Sequence, residues 1–315
     1  MSTNTAAALG RQDARQQDWL AGGGEMAKLI RSMDWSQTPL GPIESWPQSL
    51  RTTVSLCLAS NFPISLAWGP QHVQIYNDGY WPICGEKHPH SMGLDFTECW
   101  ASAWPVIGAA FERALAGETS YLENQRMFLD RNGYLEETFF TFSFSPIRDE
   151  TGVAGLFHPV TETTSRMLSE RRTRTLRDLA SSAGKAKTVE EACTLAARTI
   201  AESELDLPFT LFYLLDAQGK EVELIASTGL PRETVASPVV VDLQAQARLS
   251  WPLLEVVRSG QAQHITDVQA RFGSLSCGPY PESPKEAAGA ADHAPGLRAP
   301  DCHSCGGSQF PIGFK

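Results

Sequence analysis

No apolar run in this sequence approaches the roughly 20 residues that a bilayer-spanning helix needs, so a membrane-embedded protein is not expected. Residues 1–24 lack the basic start and apolar centre of a secretion signal. Positive charge is scarce: 26 Lys and Arg stand against 36 Asp and Glu, a formal net charge of −10. That balance argues against nucleic acid or an anionic membrane as the main partner, since both demand a basic face. Cysteines number seven in 315 residues and are mostly scattered singly through apolar segments, which reads as reduced buried thiols and not as a disulfide framework. Neither a nucleophile elbow nor a phosphate-binding glycine loop occurs, and Gly22, Gly23 and Gly24 follow no strand and read as a linker. These absences point to a cytoplasmic protein, and a hydrophobic content of 42% to a folded one.

The centre of what is present is residues 136–164. Phe140, Phe142 and Phe144 alternate with Thr141, Ser143 and Ser145, the period of two that gives a strand one apolar and one polar face. The segment Arg148 to Gly152 supplies a reversal, because Asp149 and Gly152 tolerate turn angles, and residues 153–160 return as a second strand. Upstream, Met26, Leu29, Ile30 and Met33 share one helical face, and Pro39, Gly41 and Pro42 then enforce an irregular stretch. Ser45 and Gln48 form a capping-box pattern with Pro47 in the first turn, and Trp46, Leu50, Val54 and Leu58 make an apolar stripe that should pack on a sheet. Short strands are expected at 64–68 and 73–76, and Asn77, Asp78 and Gly79 can cap a short helix. The spacing predicts a helix over 104–116 ending at Gly117, then a strand over 120–129 and a hairpin turn at Arg131, Asn132 and Gly133. Two strands, helices and three more strands make an α+β unit: a five-stranded antiparallel sheet with helices on one face.

This order and several sequence blocks resemble the N-terminal PAS region of bacterial sensor and hybrid histidine kinases. The blocks are Asp34-Trp35-Ser36, Thr38-Pro39-Leu40-Gly41-Pro42 and Trp46-Pro47-Gln48-Ser49-Leu50-Arg51. They continue with Ala67-Trp68-Gly69-Pro70, Tyr76-Asn77-Asp78-Gly79-Tyr80, Lys87-His88-Pro89, Phe140-Thr141-Phe142-Ser143 and Ser145-Pro146-Ile147. The resemblance covers about residues 25–180 and implies a sensor domain over 25–164. It also implies that an acidic residue and threonines at the end of the last strand, here Glu162, Thr163 and Thr164, hold the exit of a signalling helix over 165–187; simple helix capping is the alternative. On that helix Leu176, Leu179, Ala180 and Ala183 share a face that Arg172 interrupts, so a homodimer through part of its length is expected.

A second unit is expected over 188–287. Thr188 and Glu191 form a capping box ahead of an amphipathic helix, strands follow at 208–216 and 221–226, a short helix at 251–259 and a short strand at 262–266. This order is similar to the first two thirds of a GAF domain. The tail departs from it: residues 288–300 cannot make the apolar central strand that should follow, so 288–315 reads as irregular. A one-base shift of the back-translated sequence permits Leu-Val-Leu-Pro-Ile-Thr-Pro-Pro-Gly-Phe-Glu-Arg-Pro there, which suggests a change of reading frame. Residues 1–24 read as disordered or loosely helical.

The phosphoacceptor histidine and ATP-binding boxes of a histidine kinase are absent from this sequence, so the resemblance implies an input region and, in the full-length protein, a response regulator as partner. The rival readings are a stand-alone adaptor and the input of another output domain such as a cyclase or phosphatase. No cofactor is required by the sequence. His72, Cys84, His88 and His90 raise a metal or haem site, but Pro82 and Pro89 break the backbone and no fourth ligand is evident. A flavin-adduct role for Cys84 lacks the flanking residues of a light-sensing site. Cys302 and Cys305 are a lone pair with His293 nearby, and the paired acids Glu136-Glu137 and Glu190-Glu191 point to different faces. What remains is a pocket for a small apolar or heterocyclic ligand, with Trp68, Tyr76, Trp104, Phe111, Phe140, Phe142 and Phe144 as its candidate walls; a filled core of the same residues would make a relay unit instead.

Overall fold

A computed structural model describes residues 18–20, 22–245, 250–279, 282–291 and 309–313. Residues 1–17, Cys302, Cys305 and His293 lie outside the described residues, as does most of the stretch assigned to a shifted reading frame. The chain divides into two compact units, one ending at Leu168 and one beginning at Ser169.

The first unit holds a five-stranded antiparallel sheet of order β2-β1-β5-β4-β3, from β1 (Ile64–Trp68), β2 (Val73–Tyr76), β3 (Ser120–Leu129), β4 (Glu136–Asp149) and β5 (Gly152–Glu162). The alternation read from the phenylalanines is the alternation observed: Phe140, Phe142 and Phe144 are buried, while Thr141, Ser143 and Ser145 are half-buried on the other face. In β5 the same phase buries Leu156, His158 and Val160. Strands β1 and β2 are buried along their whole length, the pattern of strands covered on both faces.

Helices α1 (Gly24–Ser32), α2 (Gln48–Ala59) and α3 (Trp104–Leu115) and short helical turns at Trp81–Cys84 and Phe96–Cys99 complete this unit. The apolar stripe of α2, Leu50, Val54 and Leu58, joins the common core as its spacing predicts. The capping box does not form. Ser45 is spent on a tight turn, its hydroxyl donating to Pro42 O at 2.6 Å, and α2 starts after Pro47 with no side-chain cap. Trp46 therefore precedes the helix, where it packs edge-on against Trp35 with ring centroids 4.8 Å apart.

Asn77 and Asp78 do more than cap one short helix. Asn77 Oδ1 accepts from Tyr80 N at 3.0 Å at the start of the 81–84 turn, and also from Ile64 N at 3.0 Å. Its amide nitrogen is 2.9, 2.9 and 2.8 Å from the carbonyls of Cys57, Ser60 and Phe62, tying the end of α2 to the start of β1. The Asp78 carboxylate accepts from Glu25 N at 2.9 Å and Met26 N at 2.7 Å, satisfying two orphan donors of α1 from 52 residues away. Gly24, expected in a linker, is the first residue of α1; a Cβ there would lie on the Asp78 carboxylate.

Helix α4 (Thr164–Ala183) begins in the first unit and continues in the second, with no buried residue in its length; Leu176 is 67% exposed. Its stretch in the second unit is tied by Arg171, whose guanidinium meets Asp206 at 2.6 and 3.0 Å.

The second unit contains α5 (Val189–Ala201), α6 (Leu253–Ser259) and a six-stranded antiparallel sheet of order β8-β7-β6-β11-β10-β9. Its strands are β6 (Thr210–Leu215), β7 (Glu221–Thr228), β8 (Val240–Asp242), β9 (Gln263–Ile265), β10 (Ala287–Gly289) and β11 (Gln309–Gly313). Half of the capping box expected at α5 forms: Thr188 Oγ1 accepts from Glu191 N at 3.1 Å, while the Glu191 carboxylate accepts from Lys187 N at 2.7 Å. The tail, expected to be irregular from 288 to 315, contributes strands instead. Residues 309–313 form a strand between β6 and β10, and 287–289 form a short one. Small residues at 287–289 sufficed because β10 needs only backbone hydrogen bonds between two neighbours, a requirement that an apolar pattern does not register. On one face of the sheet Leu211, Tyr213, Val222, Leu224 and Trp251 form a core. On the other, Phe212 and Ala226 meet Cys193, Ala197 and Ile200 of α5.

Candidate functional site

Two places in the first unit carry chemistry beyond packing: the buried face of the sheet, and the end of β5 where the chain passes into α4.

On the buried face the aromatic rings fill most of the available space. Phe96 stacks on Phe111 at 5.4 Å and meets Phe144 edge-on at 6.0 Å; Phe142 meets Phe144 edge-on at 5.5 Å. What is left is a cavity of about 30 Å³ lined by Tyr80, Phe96, Trp100, Phe140, Phe142 and His158, among other apolar side chains. That is room for one or two waters, not for a heterocyclic cofactor. Of the seven candidate wall residues, Phe140 and Phe142 line this cavity. Phe111 and Phe144 are fully buried in the stack behind it, and Trp104 packs on Phe111 with centroids 5.3 Å apart. Trp68 pairs with Gly155 and lies one position out of phase with Ser65, the partner of His158, so it belongs to the opposite face. Tyr76 is on the cavity side, but its hydroxyl is engaged at 2.9 Å with His88 Nδ1 and at 3.1 Å with Ser91 Oγ.

His158 is the polar group at the heart of this face, 6% exposed and stacked on Phe144 with centroids 4.3 Å apart. Its Nδ1 lies 3.0 Å from Ser143 O. A carbonyl only accepts, so Nδ1 carries the proton and Nε2 of the neutral ring is an acceptor. Burial among aromatic rings pushes the imidazole pKa down to about 4, with the Ser143 carbonyl opposing in part. The ring is therefore neutral at physiological pH. Cross-strand from it, Ser65 is fully buried beside the Tyr80 phenol. Burial likewise raises the Tyr80 phenol well above its ordinary value. Sequence reasoning passed over His158, although its place two residues from both Leu156 and Val160 puts it in the inward phase.

Of the residues raised for a metal site, His72, Cys84 and His88 are engaged with other side chains. His72 packs edge-on against Phe111 and His88 on Trp81, while burial pushes the Cys84 thiol up to about 12. Among the described residues no group of three His, Cys, Asp or Glu could hold a metal ion.

The end of β5 is organised around Arg131. Its guanidinium bridges both oxygens of Glu162 at 2.8 and 2.9 Å and meets Glu136 Oε1 through Nε at 2.7 Å. Burial works against the Arg131 charge, but the bonds to Glu162 and Glu136 outweigh it and its pKa rises above the ordinary value. Thr164 Oγ1 accepts from Phe139 N at 3.0 Å and donates to Glu162 Oε1 at 2.8 Å. Thr163 N donates to Phe139 O at 2.7 Å, and the buried Thr163 hydroxyl has no partner among the described residues. The three residues named for the exit of the helix thus converge with Arg131, from the hairpin turn before β4, at the first turn of α4. Local sequence marks Arg131 only as a turn residue, because its partner is 31 positions away. Among the described residues no helix is long and apolar enough to cross a membrane.

No family model matches the sequence, and no curated protein matches it. Solved structures similar to the chain include the GAF domain of an Acinetobacter phosphoenolpyruvate-protein phosphotransferase, at 15% identity and a TM-score of 0.31 over 45% of this chain and 76% of that one. A sensory box sensor histidine kinase from Vibrio cholerae is 16% identical, with a TM-score of 0.24 over 38% of this chain and 97% of that one. The chromophore-binding domain of a Stigmatella aurantiaca bacteriophytochrome is 12% identical, with a TM-score of 0.29 over 80% of this chain and 85% of that one.

Proposed function

We propose that this chain is the sensory input region of a two-component sensor histidine kinase, a PAS unit followed by a GAF unit, whose phosphotransfer core is not contained in these residues. The observation that carries the reading is the Arg131–Glu162–Thr164 latch. It joins the last strand of the sheet, a hairpin turn and the first turn of an otherwise exposed helix at one point. A helix fixed at one end by a partly exposed, charge-assisted contact can be latched or released, and a signal that favours one arrangement shifts the population. The small cavity favours a relay unit, or a ligand of a few atoms, over a bound heterocycle. Helix α4, with Leu176 outward and no buried residue, would dimerise with a second copy over part of its length. In the full-length protein the downstream partner would be a response regulator, and the setting would be cytoplasmic.

Autophosphorylation from ATP by the longest protein the gene encodes tests this, with wild type beside Glu162→Gln. The reading requires phosphate on a histidine and a rate changed several-fold by the substitution while the fold is retained. A downstream cyclase or phosphatase domain would keep the input role and replace the kinase. No output domain in any frame, or a rate indifferent to Glu162, would overturn the relay.

A further inference from the structure

A cleft in the second unit owes nothing to the latch or the aromatic core. It is a half-open cleft of about 520 Å³ between α5, the loop after it and β7, within the 300–1,000 Å³ common for small-molecule sites. Its floor is apolar, with Ala197, Leu207, Ile225 and Ala226 among its walls. Its charge is not balanced. Arg198, in the last turn of α5, and Arg232 both line it, against one carboxylate, Glu204.

Arg232 is held in place by the sheet: its guanidinium donates to Leu224 O at 2.6 Å and Ile225 O at 3.2 Å. A guanidinium fixed by carbonyls cannot swing away and keeps its remaining N–H groups for another acceptor. Arg198 is exposed, and none of the ion pairs of the described residues involves it. The cavity edge is built without side chains at two points. A Cβ on Gly229 would collide with Pro208 O, and one on Gly278 would sit 2.9 Å from Pro208 Cβ. At both points the chain packs tightly against Pro208, so the rim of the cleft there is backbone.

We propose that this cavity is a binding site for a small amphipathic monoanion, a carboxylate or sulfonate on an apolar body. The anion meets Arg198 and Arg232, and the apolar part lies on the floor between α5 and β7. Glu204 disfavours a second negative charge on the ligand and sets the preference for a monoanion. This site is independent of the relay proposed for the first unit.

The test uses the full chain with two fluorescent probes of like aromatic body: the anion 1-anilinonaphthalene-8-sulfonate and neutral N-phenyl-1-naphthylamine. The sulfonate should bind saturably at one site. Arg198→Gln should weaken it about tenfold, the loss of one charge-assisted hydrogen bond, and Glu204→Gln should tighten it about twofold or more. Neither substitution should alter the thermal unfolding curve or the binding of the neutral probe. No saturable binding of the sulfonate, equal affinity in wild type and Arg198→Gln, or the same loss for both probes would overturn the assignment.

Discussion

Replacing His158 by phenylalanine should remove a specific acid sensitivity from the first unit. The ring is buried against Phe144, and its pKa lies at about 4 in the folded chain against 6.5 in an ordinary environment. A proton bound by the unfolded chain and refused by the folded one costs stability as pH falls. Above pH 6.5 both states are neutral and the contribution is complete. Between 6.5 and about 4 the unfolded chain takes up the proton and the folded chain does not, so stability declines with falling pH. The full span is worth roughly 3 kcal/mol, and pH 4.5 should show about two thirds of it or more. Phenylalanine keeps the stack on Phe144 but loses the bond to Ser143 O, which costs about 1 kcal/mol at neutral pH and adds no titrating group. Urea unfolding of wild type and His158→Phe at pH 7.5, 6.5, 5.5 and 4.5 reads the difference, because every other titrating group is present in both proteins. The two curves should converge, then cross or meet, as pH drops. Parallel curves, or a His158 ring that titrates near 6.5 by NMR in the folded protein, would refute the argument.

Other substitutions probe the contacts that tie distant segments together. Asp78→Ala leaves Glu25 N and Met26 N without their cap and should cost about 1–2 kcal/mol, with hydrogen exchange accelerated first at residues 25–30. Glu162→Gln halves the charge facing Arg131 and should cost about 2 kcal/mol, less than a fully buried pair because Glu162 is partly exposed; exchange at Thr163 to Met167 should rise while β1 stays protected. Gly155→Ala places a Cβ 2.7 Å from Ala67 O and 3.2 Å from Trp68 Cα. With backbone on one side and a packed indole on the other, it should lower thermal stability by about 2 kcal/mol or more. Cys84, its thiol raised to about 12 by burial, should resist alkylation at pH 8 until the first unit unfolds, as mass spectrometry would show.

Local pattern determined much of this protein. The alternation of Phe140, Phe142 and Phe144, the apolar stripe of α2, the cap at Thr188 and the turns at Gly133 and Gly152 follow from neighbours within a few residues, whose periods are set by backbone geometry. The tertiary structure decided the rest. Asp78 serves a helix that began 50 residues earlier, Arg131 finds Glu162 across two strands, and β11 enters the second sheet from beyond a stretch with no strand pattern. Those contacts satisfy single polar groups whose partners are chosen by the folding of the whole sheet, and no period in the sequence records such a choice. Cavity size is decided in the same way. The seven aromatic side chains named from sequence are buried or half-buried, but whether they enclose a ligand or fill the space depends on how the rings interlock. Here His158, Phe96 and Phe140 leave only about 30 Å³.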